Sequence, residues 1–93
     1  MAKQTFQTLL SSGAPILADG AMGTMLHLKG IGFDQCFDEL NLVNPALVAE
    51  IHRDYINAGA QIIQTNTFGA NRYKLTQHGL EEKVVEINRA AVD

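Results

Sequence analysis

Positive charge is scarce in this 93-residue chain, where 7 Lys and Arg stand against 10 Asp and Glu for a formal net charge of −3. The basic excess that nucleic acid or an anionic membrane surface requires is missing, so neither is an expected partner. Long apolar runs are missing too. The longest span three to five residues, against the roughly 20 that a membrane helix needs. The polar start, Met1 to Phe6, holds no apolar signal core, which gives a cytoplasmic expectation. Cysteine is nearly absent: Cys36 alone cannot close an internal disulfide, in keeping with a reducing compartment. No HExxH, CxxC or paired Cys/His spacing occurs, so the segment offers no self-contained zinc site. Gly20 and Gly23 do not make GxGxxG and no Walker lysine follows, so nucleotide binding has no motif behind it.

What is present is ordinary globular composition, 46% hydrophobic and 18% charged, which argues against disorder, collagen-like repeats and coiled coil. Thr5 to Leu10 has helical character and is stopped by Ser11, Ser12 and Gly13. Ile16, Leu17 and Ala18, bounded by Pro15 and Asp19-Gly20, suit a strand buried on both faces. Residues 20–44 form a long, glycine-rich connection that carries a short helix around Met22 to Leu28. Asn44-Pro45 is a strong helix start, because Asn caps free donors and Pro gives up a bond that N1 would not make. Along that helix Val48, Ile51, Tyr55 and Ala58 fall on one side, with Glu50, Arg53, Asp54 and Asn57 on the other. Gly59 ends it. Gln61 to Thr65 reads as a second strand, Asn71 to His78 as a helix stopped by Gly79, and Glu81 to Asp93 as a last helix. Its apolar side is Val84, Ile87 and Ala91, and its two leading glutamates suit the helix dipole.

Two strand-helix units imply parallel strands joined by right-handed crossovers. Two such strands cannot close a core, so the expected fold class is α/β, the opening quarter of a barrel or doubly wound sheet. An eight-unit barrel needs about 250 residues, which makes the chain an expected N-terminal piece of a larger protein.

Functional loops in parallel α/β folds lie at the carboxyl ends of strands, which selects Asp19 to Thr24 (DGAMGT) and Thr65 to Asn71 (TNTFGAN). A carboxylate at Asp19 suits a ligand ammonium, and the amides of Gly20 to Gly23 suit a ligand carboxylate; together they suit an amino acid zwitterion. Asp19 can equally cap its turn or the next helix. Asn66, at the second strand end, both donates and accepts, and can instead make a local turn bond. Glu39 to Asn41 read as loop-fixing residues, His52 as a packed, hydrogen-bonded histidine, His27 and His78 as solvent-facing, and Cys36 as an inert loop thiol.

With DGAMGT, then FDELNLVNP, then YINAGAQIIQTNTFGANRYKLTQHGLEE in order and at family-like spacing, the chain from Ile16 onward resembles the homocysteine S-methyltransferase family. DGAMGTML and TNTFGAN look closer to the methionine synthase and reductase-fusion branches than to the betaine branch. The resemblance implies a (β/α)8 TIM barrel that methylates the thiolate of L-homocysteine to give methionine, with residues 1–93 a partial homocysteine-binding domain of about two βα units, truncated at its C-terminal end. It implies substrate binding by Asp19, Gly20 and the adjacent Ala21, with Asn66 and Thr67 lining the same end. It also implies zinc held by three cysteines on later strands, which this chain lacks, and a methyl donor such as cobalamin or folate, with fused reductase or cobalamin modules in the parent. The 93-residue chain alone is therefore expected to hold no catalytic residue, no zinc and no activity. The alternatives are a non-catalytic truncated module, or a barrel for another small amino acid or a pterin.

Overall fold

Helices carry nearly all the regular structure in the computed structural model, which describes residues 5–93. In order they are α1 (Phe6–Ser11), α2 (Gly23–Leu28), α3 (Leu40–Val43), α4 (Pro45–Asn57) and α5 (Arg72–Leu75). Two single 3-10 turns, Thr76–His78 and Glu81–Lys83, lead into α6 (Val84–Val92). Residues 1–4 of the polar start lie outside the described residues.

Local capping chemistry sets several of the boundaries. Thr5 accepts from the Thr8 N–H to open α1, and Asn44 does the same for Leu47 at the head of α4, with Pro45 at N1. Gly59 takes a φ of +114° just past α4, and Gly79 one of +72° after the Thr76–His78 turn, a region where a Cβ is disfavoured. Buried Val48 and Ile51 lie on the apolar side of α4, and Glu50, Arg53, Asp54 and Asn57 are exposed as expected, but Ala58 is exposed as well.

The expected strands are where the structure departs from the sequence reading. Residues 16–18 and 61–65 come together in parallel, yet among the described residues they share a single bridge, Ala18 with Ile62, and no strand forms. The register is fixed by Asp19 N–H to the Ile62 carbonyl at 2.9 Å and Gln61 N–H to the Leu17 carbonyl at 2.7 Å. Burial on both faces is not met either: Leu17 is 55% exposed and Ile63 39%. A parallel ladder needs layers over both faces, and these residues supply helices without a closed sheet to receive them. The Cα radius of gyration, 14.8 Å, exceeds the roughly 12 Å of a globule this long, and α1 buries no residue.

Two apolar clusters form the interior. Leu26, Leu40, Val48 and Ile51 join α2, α3 and α4; Ala70, Leu75 and Ile87 join the 66–71 loop, α5 and α6. The helix α3 is an element the sequence reading treats as loop. Successive turns from Cys36, Phe37 and Asp38 wind into it, and it persists because Leu40 and Asn41 are buried between the clusters. Asn41 Nδ2 donates to the Asn66 carbonyl at 2.8 Å and to the Ile87 carbonyl at 3.3 Å, while Asn66 Nδ2 donates to Asn41 Oδ1 at 3.1 Å. A buried amide pair thus ties the two clusters together. Asn41 is structural, but its bonds reach 25 and 46 positions along the chain where a local, loop-fixing role was expected.

Candidate functional site

The ends of the two bridged segments open onto one cleft of about 490 Å³. Its walls are Asp19 to Gly23, the loop around Phe33 to Asp38, the segment Gln64 to Gly69, Lys74 of α5, and Gln77 and His78 of the turn that follows it. Asp19, Gly20, Ala21, Asn66 and Thr67, drawn from two loops more than 40 positions apart, all line it.

Each of these residues is held by a different device. Asp19 makes no capping bond to α2, whose N-cap is Met22 without a side-chain bond. Its Oδ2 instead accepts from the Gln64 N–H at 3.0 Å, so one carboxylate oxygen fixes the bridged segments. Asn66 is 6% exposed and spends its Nδ2 on the Phe37 carbonyl at 2.8 Å and on Asn41. These bonds reach 29 and 25 positions back, so its amide joins distant loops and does more than close a local turn. Thr67 shares a 2.8 Å hydroxyl contact with Thr65, and its carbonyl accepts the Ala70 N–H.

Three contributors lie outside the residues singled out from the sequence. Tyr55 of α4 donates to the Ala21 carbonyl at 2.6 Å. A tyrosine on a helix's core face implies a partner for its hydroxyl, and that was the available signal. Asp38 accepts from the Gly69 N–H at 3.3 Å, so the FDEL loop clasps the TNTFG loop. A Cβ on Gly69 would stand 2.6 Å from Asp38 Oδ2, so any larger residue there would displace the Asp38 side chain. Lys74 holds its Nζ 4.3 Å from the centre of the exposed Phe68 ring at the cleft.

Burial pushes the Asp38 carboxyl above its usual range, against the opposing pull of the Gly69 and Asp38 backbone N–H groups and the charges of Lys74 and His78. A folded-state value above the unfolded one means that stability is fullest below the ordinary carboxylate range and is lost as pH rises towards the raised value. Asp38→Asn keeps an acceptor for Gly69 and removes the buried charge. Thermal melts should therefore show the variant more stable than wild type near neutral pH, with the gap narrowing towards about pH 4. A gap independent of pH would contradict this account.

The histidines carry little chemistry. His27 is exposed and stacks on Phe33 at 4.0 Å, and His78 is exposed at the cleft. His52 is packed, but its Nδ1 is buried with no hydrogen-bond partner, contrary to the expectation. It faces a second space of about 440 Å³ bordered largely by apolar residues such as Val48, Ile63 and Val92. Cys36 is a free, partly buried thiol packed against the second cluster. Among the described residues no three His, Cys, Asp or Glu side chains gather as a metal site. No helix there is long and apolar enough to cross a membrane.

The family model for homocysteine S-methyltransferase matches residues 16–93, from the first bridged segment through the whole cleft. The chain belongs to that family. Among curated proteins it is 32% identical to the methionine synthase of Mycobacterium tuberculosis and 34% identical to that of Mycobacterium leprae. Each alignment spans 80 residues and covers 80% of this chain. The chain spans about 7% of the length of these relatives. The family match takes in both cleft-lining loops, DGAMGT and TNTFGAN, and the FDELNLVNP block that carries Asp38 and Asn41.

Proposed function

We propose that this chain forms the homocysteine-binding start of a (β/α)8 barrel, about two of its eight units, whose parent transfers a methyl group to the homocysteine thiolate to make methionine. The single observation that supports it best is the convergence of Asp19, Gly20, Ala21, Asn66 and Thr67 on one cleft at the ends of the parallel segments. In this reading the other carboxylate oxygen of Asp19 takes the substrate ammonium, a charge-assisted bond stronger than a neutral one. The nearby backbone of Gly20 and Ala21 lets the amino acid end approach closely. Asn66 and Thr67 border the same space and orient the side chain towards the remaining barrel.

Zinc does not fit this segment. A structural or catalytic zinc site needs three or four gathered ligands, whereas the chain has one cysteine, packed into a cluster, and no group of three ligands among the described residues. Thiol activation therefore belongs to parts of the parent outside this chain, as does delivery of the methyl group by a cobalamin or folate donor. A cytoplasmic location and fused reductase or cobalamin modules are part of the same proposal, the first resting on the single unpaired cysteine and the second on how little of each relative is matched.

Calorimetric titration of the full-length protein with L-homocysteine, paired with metal analysis, tests the reading. Homocysteine binding and stoichiometric zinc are expected for the full-length protein, and no stoichiometric zinc for residues 1–93 alone. A full-length protein that ignores homocysteine would turn the assignment towards another amino acid, a pterin or a non-catalytic module.

A further inference from the structure

Tyr55 stands apart from the cleft lining yet touches the loop that forms one wall of it. Its hydroxyl donates to the Ala21 carbonyl at 2.6 Å. Its ring lies so close to Gly20 that a Cβ there would meet the hydroxyl oxygen at 3.1 Å and ring carbons at 3.4 and 3.5 Å. The contact therefore acts twice on one turn, fixing the direction of a peptide group and crowding the position beside it, where any Cβ would push the tyrosine aside by a few tenths of an ångström. Because the peptide is planar and trans, turning the Ala21 carbonyl towards Tyr55 turns the Met22 N–H the opposite way. Tyr55 is itself firmly placed. It packs against the cluster of Leu26, Leu40, Val48 and Ile51, and its own carbonyl accepts the Ala60 N–H at 3.0 Å where α4 ends.

The helix leading from Tyr55 is also tied to the far side of the same loop. Lys29, at the end of α2, reaches Glu50 at 3.0 Å and Asp54 at 3.2 Å on α4. The segment from Gly20 to Lys29 is thus fastened to α4 at both ends, by a neutral hydrogen bond beside the cleft and by an exposed ion pair away from it. Exposed pairs contribute little, and Asp19 is held by its own bonds to Ile62 and Gln64, so the bond at Tyr55 is the one that sets the geometry of the turn that follows, at Gly20 and Ala21.

We infer that Tyr55 is a positioning residue for substrate binding, holding the Gly20-Ala21 turn beside Asp19 in its binding shape through the Ala21 carbonyl. The inference rests on the homocysteine reading above for the identity of the ligand, but the positioning itself does not. Tyr55→Phe in the full-length protein keeps the ring against Gly20 and removes only the hydroxyl.

Hydrogen–deuterium exchange is the first readout. The peptide covering residues 17–26 should exchange faster in Tyr55→Phe while that covering residues 84–93 is unchanged; equal exchange over residues 17–26 overturns the inference. Kinetics are the second. Loss of one hydrogen bond should raise KM for homocysteine about five- to tenfold, with KM for the methyl donor unaltered. Unaltered KM for homocysteine, or an equal rise for both substrates, also overturns it. If wild type fails to bind homocysteine, the functional reading falls, while the exchange comparison still decides the role of Tyr55.

Discussion

Asp19→Asn in the full-length protein should weaken homocysteine binding by about 10- to 100-fold, the worth of a hydrogen bond to a charged group. The substitution is nearly isosteric. Its amide oxygen can still accept the Gln64 N–H, which Asp19 Oδ2 now takes at 3.0 Å, so the junction of the bridged segments survives. What disappears is the negative charge offered to a ligand ammonium. Calorimetric titration gives the dissociation constant, and a thermal melt on the same sample should stay within about a degree or two of wild type, as for a change that leaves its contacts intact. A weakened constant with a preserved melt assigns Asp19 to the ligand. An unchanged constant would leave its bond to Gln64 as its whole role.

Asn41→Leu should have the largest effect on stability, about 3 kcal/mol, because it strands buried polar groups and does not simply delete a pair. The Asn66 and Ile87 carbonyls lose their side-chain donor, and Asn66 Nδ2 loses one of its two acceptors. Leucine matches the volume but not the chemistry, in a position only 3% exposed. For a barrel-sized domain that loss corresponds to a drop in melting temperature of roughly 6–12 °C. The effect should extend to the cleft, since Asn66 is held partly by Asn41, and Thr67 follows it. A melt within a degree of wild type would mean that the amide pair does not join the clusters energetically.

How much of this was legible in the sequence depended on the range of the interactions involved. The start of α4 at Asn44-Pro45 and its end at Gly59 are governed by capping and by a positive φ, both written in neighbouring residues. The strands at 16–18 and 61–65 were not secured by their own residues. Their apolar runs mark where a parallel sheet could lie, but a ladder depends on strands and layers far along a chain, and here one bridge forms. The helix α3 and the buried state of Asp38 were hidden for the same reason. Both depend on partners 25 to 46 positions away, namely Asn66, Gly69 and Ile87. The rule that sites gather at strand ends needed only the order of elements, and the five residues it and the family resemblance selected lie on one cleft.

The lone bridge between Ala18 and Ile62 also bears on how such a protein is made. In the proposed barrel these residues leave the ribosome before the later units, and at 5–20 residues per second the rest of a domain of about 250 residues needs roughly 10–30 s more. Throughout that interval Leu17 and Ile63 stand open. Held by one bridge and a handful of hydrogen bonds, the early segments can realign as later strands arrive, but they also present a sticky edge to any chain emerging nearby. The time to complete the barrel, and the chaperones that shield its beginning, then become part of what decides the yield of folded protein.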